Sequence, residues 1–582
     1  MKRIHSIIIV ACATVLGSCG ADFLEKNPQG ELTQDQITSA RGVEGMLTGA
    51  YGLVNGNVSG TWGNYSSAPS QWLFGEVGAD NAHKGSNAGD QPNMNEVELH
   101  TVSNANDNTD IMWNRYYEGI ARCNNTLKLL KVVQGGSGDK LSDTRAKEVE
   151  AEARFLRAHY YFFLRRVFAK IPYVDDSMTP ESALLVPNDK EVWPMIQADL
   201  QFAIDNLPPA WVNESDLGRA SKVAAQAYMG KVLLYQNKHA EALPFFTTVI
   251  AARGALENMP FTDNFDVNRE NGPETIFAAQ HAINPDGSGD NANVGDMLGG
   301  FYGNAPVSCC GFYQPTFDLV NSFKVTPAGL PMLDGSYRTD PYLSDYGLNG
   351  APKTGYRVDT MLAFDPRLDY TVGRRGVMYR DWDTMPGDSW IRDPAYAGPF
   401  VGVKHMVDAS ARGTQTVAGA PYITSLNVNI IRLADVYLMA AECYVEANDL
   451  DAALALVNHV RRRAAKLDGR EMRIRESPTA DPKNDIIARA AQYNVQPYAS
   501  FANQDVARNA VRFERRLELA LEGHRFYDLV RWGIAKQTIE SYSAFEGGIL
   551  SSFAGITFEA KDAILPIPQQ QIDRSQGVLK PN

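Results

Sequence analysis

Ala224–Val249 reads AAQAYMGKVLLYQNKHAEALPFFTTV, and Val436–Val460 reads VYLMAAECYVEANDLDAALALVNHV. Superimposed on Ala242 and Ala453, the two stretches place Gly230 opposite Ala441, Leu233 opposite Tyr444, Asn237 opposite Asn448 and Phe246 opposite Val457. A small residue, a large one, a turn residue, then small and large again is the pattern two short antiparallel helices need. The small positions let the helices approach and the large ones fill the groove between them. The spacing predicts two copies of one helix-turn-helix unit.

Such a pair resembles the tetratricopeptide repeat, whose units stack and leave a concave or convex face for a partner protein. The surrounding chain agrees. From about Thr33 to Leu256 helical patterns dominate, most clearly in Lys147–Phe168, where Val149, Ala153, Leu156, Tyr160, Phe163 and Val167 recur at steps of four and three. The charged Glu148, Glu152, Arg154, Arg157, Arg165 and Arg166 fall between them, so the segment predicts an amphipathic helix that stops before Pro172. The expected fold class is mainly α, with about four tetratricopeptide-like helix pairs.

Between Pro285 and Ala420 the character changes: 136 residues hold 19 glycines and 11 prolines, against 78 such residues in all 582. Ordinary helices do not survive that density, so the stretch predicts loops, turns and short strands inserted into the helical frame. A second such region runs from Val58 to Asn95, with Trp62, Tyr65 and Trp72 followed by GADNAHKGSNAGDQ. Disorder is disfavoured by aromatics that need burial or a ligand, among them Phe301, Tyr302, Phe312, Tyr313, Trp382, Trp390 and Tyr396.

Composition removes other classes. With 68 acidic against 55 basic residues the formal charge is −13, unfavourable for holding a nucleic-acid backbone. Lys2 and Arg3 precede an apolar run from Ile7 to Leu16, half the length a membrane span requires, so residues 1–18 read as a signal peptide. The sequence Leu16-Gly17-Ser18-Cys19 resembles the lipobox of bacterial lipoproteins, which implies that Cys19 carries lipid. Later in the chain no run of 18 apolar residues occurs, so membrane attachment is expected through lipid alone. Beyond Cys12 and Cys19, Cys443 lies in an apolar helical stripe, and the pairing of Cys123, Cys309 and Cys310 is left open.

The usual catalytic anchors are missing: there is no HExxH, GxSxG, GxxxxGK[ST] or GxGxxG. Pro285–Asp296, PDGSGDNANVGD, offers oxygen ligands to a structural calcium ion, but without EF-hand spacing the plain turn is the better reading. No cofactor is otherwise expected. In Phe513–Gly533, FERRLELALEGHRFYDLVRWG, the residues Arg515, Glu518, Glu522, Arg525, Asp528 and Arg531 follow at steps of three or four, with His524 four before Asp528. A catalytic acid and base are available there, but a set of ion pairs along one helix face is the simpler account.

Taken together, several segments resemble the SusD-like (RagB/SusD) family of bacterial surface lipoproteins. They are Cys19 with FLEKNPQGELT, WNRYYEGIARCNNTL (Trp113–Leu127), EARFLRAHYYFFLRRVFAKIP (Glu152–Pro172), IRLADVYLMAAECY (Ile431–Tyr444), Phe513–Gly533 and ILPIPQQQID (Ile564–Asp573). The resemblance implies a helical region over residues 19–270 and a RagB/SusD region over 285–582, with the loop-rich insert at 285–420 and C-terminal helices. It also implies a non-enzymatic outer-membrane protein that binds a nutrient, commonly a glycan, and lids a SusC-like TonB-dependent transporter.

Sugars independently call for aromatic faces flanked by polar side chains that bond in the ring plane. Trp72, Asp80, Asn81, Lys84, Tyr302, Tyr313, Trp382 and Trp390 are the expected ligand contacts. The competing readings are a protein-interaction scaffold, and a peptide in place of the glycan.

Overall fold

The computed structural model describes residues 37–56, 64–303, 307, 309–348, 356–475 and 486–582; the signal segment, Cys19 and Trp62 lie outside them. Eight helices follow one another, each packed on the next: α1 (Ala40–Gly52), α2 (Asp107–Gly135), α3 (Asp143–Phe168), α4 (Trp193–Asn206), α5 (Lys222–Leu234), α6 (His239–Arg253), α7 (Leu433–Glu446) and α8 (Leu450–Ala464). They make four pairs, and α6 against α7 joins the two halves across nearly two hundred residues of sequence.

The two matching stretches are α5–α6 and α7–α8. Asn237 and Asn448, paired by the sequence alignment, both adopt a left-handed backbone in their turns, with φ of 58° and 59°. Asparagine reaches that region more easily than most residues, which is why it closes both hairpins. Gly230 is small for a packing reason: a Cβ there would lie 2.5 Å from the Phe246 ring.

Helix α3 starts on the Ser142 hydroxyl, which accepts the Arg145 N–H at 3.2 Å, and stops at Ala169 (φ 58°), three residues before Pro172. The predicted stripe is buried, but so are Phe155, Ala158, Tyr161, Phe162 and Leu164 on other faces. The helix is therefore central, with neighbours on several sides. Arg157 is buried with it because Asp199 of α4 answers its guanidinium at 2.7 Å.

The glycine-rich insert leaves and rejoins the frame through one ladder. Among the strands β1 (Ala82–Gly85), β2 (Thr275–Ala279), β3 (Phe312–Pro315) and β4 (Val428–Arg432), β2 pairs antiparallel with β4, and β1 with β3. The insert has its own apolar core, in which Phe301, Tyr379, Met385, Trp390, Val401 and Met406 pack together. Cys309 and Cys310 are bonded to each other, while Cys123 and Cys443 are free and buried. Among the described residues no helix is long and apolar enough to cross a membrane.

Phe513–Gly533 departs from the expected single helix. Helix α9 (Gln504–Leu519) ends, a turn intervenes with Leu521 at φ 61° and Gly523 at φ 77°, and α10 (Arg525–Arg531) and α11 (Ala535–Glu546) follow. At Gly523 any Cβ would collide with the Ser70 carbonyl at 1.9 Å. The Glu76 carboxylate accepts the N–H groups of Gly523 (2.8 Å) and His524 (3.1 Å), tying this turn to the N-terminal loop region.

The charged ladder is not a run of pairs along one helix. Glu518, fully buried, meets three guanidiniums: Arg432 at 2.7 Å, Arg367 at 3.0 Å, and Arg463. Glu274, Glu514, Glu522 and Asp365 extend the cluster through the same arginines, Arg461 and Lys404, giving five carboxylates against five cations. A second cluster balances Asp435, Asp528 and Glu442 against Lys231, Arg515 and Arg531. Neutrality within each cluster is what lets so many charges leave water.

Burial works to raise the Glu518 pKa, but Arg463, Arg432 and Arg367 outweigh it and hold the group at about 2, below its ordinary 4.5. The folded carboxylate keeps its charge to lower pH than the unfolded one, so its stabilisation is complete above about pH 4.5 and is lost as pH falls toward 2. Glu518→Gln leaves the buried cluster with one uncompensated positive charge and should cost about 3–5 kcal/mol, read from urea midpoints at pH 7, with a smaller deficit at pH 3. Gly230→Leu should lower stability by about 1–3 kcal/mol through overpacking against Phe246 in the same assay.

Candidate functional site

The two loop regions converge. Strand β1, from the first, lies on β3, from the second, with His83 opposite Gln314 and Gly85 opposite Phe312. Trp72 donates its indole N–H to the Gly295 carbonyl at 3.1 Å, Thr316 donates to the Asp80 carbonyl at 2.8 Å, and Tyr396 to Asn95 at 3.1 Å. His83 bonds Glu98 and Glu546, each at 2.9 Å. Burial lowers its pKa, but those two carboxylates more than compensate and raise it to about 9. A charged imidazolium thus pins the seam to the end of α11.

Most of the expected contacts turn out to build this seam from within. Trp72 is buried against Tyr313, with ring centroids 5.5 Å apart. Tyr313 packs in turn against His405, tilted at 5.3 Å, and is itself buried. Asp80 has no exposed surface and is held by Arg525 at 2.7 Å and Arg516 at 3.2 Å. Burial opposes its ionisation, yet Arg516 and Arg525 keep its carboxyl well below the usual carboxylate range. Asn81 donates to Glu76 at 2.8 Å and accepts from Arg516 at 2.9 Å.

Lys84 is buried, caps the Asn87 and Asp90 carbonyls at 2.7 and 2.6 Å, and lies over the Phe312 and Tyr396 rings. Its pKa falls to about 8, chiefly through burial. Trp390 stacks on Phe301 at 4.3 Å inside the insert's core, and half-buried Trp382 donates to the Val407 carbonyl at 2.9 Å. These side chains are occupied by protein partners. The reading of loop aromatics as open platforms is corrected for Trp72, Tyr313 and Trp390, because a loop region this long needs a core of its own.

Tyr302 is different: it keeps 37% of its surface exposed. Its main-chain N–H is fixed by the Trp390 carbonyl at 3.0 Å, and the Arg392 guanidinium stands 5.0 Å from its ring centroid. Arg392 in turn donates to the Ser86 hydroxyl at 2.9 Å and to the Asp90 carboxylate, crossing from one loop region to the other. Beside Asp90, Gln91 accepts the phenol of half-buried Tyr65 at 3.1 Å. Partial burial raises the Tyr65 pKa, with Asp90 and Asp107 adding to it. Two accessible phenol rings with an arginine, an aspartate and an amide between them form a surface suited to a polar ligand with apolar faces. Arg392, Asp90 and Gln91 were not anticipated; no local motif marks them, and only the β1–β3 pairing brings them to Tyr302.

A cavity of about 760 Å³ lies elsewhere, lined by Phe261, Phe265, Tyr370, Arg380, Asp408 and Leu467; it contains none of the expected contacts. Pro285–Asp296 closes on itself, Asp286 accepting the Ser288 N–H at 2.9 Å and Asp296 accepting from Asn293 at 2.8 Å. Among the described residues no group of three or more His, Cys, Asp and Glu side chains is arranged around a metal position.

A repeat-helix frame carrying two interlocked loop regions defines a binding scaffold. The chain belongs to the SusD family: that family's model matches residues 273–582, and a model described as "Starch-binding associating with outer membrane" matches residues 22–234. SusD-like protein P25 of Formosa agariphila is 23% identical over 570 residues, covering 93% of this chain and 92% of the relative. A SusD-like carbohydrate-binding protein from Bacteroides fragilis superposes with a TM-score of 0.68 at 21% identity, over 93% of this chain and 99% of that one. Surface glycan-binding protein A from Bacteroides thetaiotaomicron, solved with laminarihexaose, superposes at 0.63 and 17% identity, over 94% and 99%.

Asp80→Asn separates a structural from a ligand-contacting role for this position. With buried Arg516 left to Asp318 alone and half-buried Arg525 without its carboxylate, the variant should lose about 3 kcal/mol by chemical denaturation. A loss below about 0.5 kcal/mol, the level of an ordinary surface substitution, would contradict the assignment.

Proposed function

We propose that this chain is a non-catalytic lipoprotein of the outer membrane, facing the cell surface, which binds an oligosaccharide at the Tyr302–Arg392 surface and hands it to a SusC-like TonB-dependent transporter. Cys19 is its lipid attachment point, and the repeat helices supply the face that meets the transporter. One observation carries the binding-site assignment: both loop regions end on one surface, where Tyr302 and Tyr65 keep ring area open beside Arg392, Asp90 and Gln91. A pyranose offers an apolar C–H face and a rim of hydroxyls, which those rings and polar groups complement. The relatives that bind laminarin or carbohydrate support the ligand class.

The test is a glycan array on the purified chain followed by calorimetry on the best oligosaccharide. Tyr302→Ala and Arg392→Ala should each weaken binding about tenfold, the loss of one stacking or one charge-assisted contact. Leu467→Trp, which narrows the 760 Å³ cavity, should leave affinity unchanged. Loss of binding in Leu467→Trp with retention in Tyr302→Ala would move the site to that cavity, and sustained release of reducing ends by the repurified protein would overturn the non-catalytic reading.

A further inference from the structure

Arg166, near the end of α3, stands apart from the arginines around it. Arg515, Arg516, Arg525 and Arg531 all meet carboxylates, whereas no described carboxylate pairs with Arg166. Its guanidinium lies between the Phe163 and Tyr527 rings, 4.1 and 3.7 Å from their centroids. Nη2 donates a long bond of 3.3 Å to the Gln71 amide oxygen, and the buried Nε has no partner. The phenols of Tyr527, Tyr235, Tyr228 and Tyr116 surround it, and the charged group beyond them, Lys231, repels it rather than compensating it. Ring faces attract a cation but do not neutralise it, so the charge of half-buried Arg166 has no carboxylate counter-ion.

That charge lines a cavity of about 290 Å³ whose walls are apolar: Phe74, Val97, Val102, Val167, Phe526 and Leu565. His100 stacks on Phe526 at 6.0 Å, and burial lowers its pKa to about 4, so it enters as a neutral ring. Lys561, Asp562 and Asn582 supply the polar part of its lining. A cavity of about 150 Å³ accommodates benzene. Twice that volume holds a body of about eight to ten carbons, and Arg166 in the lining offers a guanidinium with an unpartnered Nε to an anionic head.

We propose that this cavity is a second binding site, for a small carboxylic acid with an apolar body, whose carboxylate supplies the counter-charge Arg166 lacks. The site is separate from the Tyr302 surface and does not depend on what binds there. Octanoate and 1-octanol, titrated calorimetrically into the purified chain at pH 7, test it, because they share a body and differ in charge. Octanoate should bind with a Kd below about 1 mM and at least about tenfold more tightly than the alcohol.

Arg166→Gln should abolish that preference, and Ala563→Trp, filling the cavity from its rim, should abolish octanoate binding while leaving the unfolding midpoint and oligosaccharide affinity unchanged. Equal affinity for acid and alcohol, binding that survives Ala563→Trp, or no octanoate binding up to about 10 mM would overturn the proposal. If Arg166→Gln fails to fold, the Ala563→Trp titration and the acid–alcohol comparison still decide it.

Discussion

Glu518 and the three arginines that enclose it join the glycine-rich insert, the strand at its exit and α8 at one buried point. Arg367 comes from the glycine-rich insert, Arg432 from the strand at its exit, and Arg463 from α8. Each of these guanidiniums would be intolerable in the interior alone, and Glu518 would be equally so. The arrangement survives because the members arrive together and neutralise one another. It fixes the insert's position relative to the repeat helices more sharply than apolar contact does, since a displaced hydrophobic side chain finds another contact and a displaced buried charge does not.

Next to this cluster, the same segment reaches the N-terminal loop region. Arg516 and Arg525 grip Asp80, Asn81 accepts from Arg516, and Glu76 caps the turn around Gly523. One stretch of about twenty residues therefore places both loop regions, and the β1–β3 ladder completes their alignment. The exposed Tyr302 surface is a consequence of that alignment: Tyr302 belongs to one region, Ser86 and Asp90 to the other, and Arg392 spans them.

The repeat frame was legible because its determinants are local. Periodicity gave α3, and the matched stretches gave α5–α6 and α7–α8 down to the two turn asparagines, since small-large alternation and turn chemistry act within a few residues. The insert was legible as loop from its glycine and proline content. The ladder in Phe513–Gly533 reads as pairs within one helix, because spacing alone cannot distinguish a neighbour four residues away from one folded in from Arg367 or Asp435. For the same reason Trp72, Tyr313 and Trp390 looked like open platforms: an aromatic in a glycine-rich loop has one local signature whether it faces solvent or a second loop. Arg392 and Asp90, some three hundred residues apart, carried no signal that composition or spacing registers.

The central claim is that one oligosaccharide surface forms where the two loop regions meet. A crystal structure of the chain with its best-binding oligosaccharide tests this most directly. The account places a sugar ring against Tyr302, within hydrogen-bond reach of Arg392 or Asp90; a sugar lodged between Phe261 and Tyr370, with the Tyr302 surface empty, would contradict it.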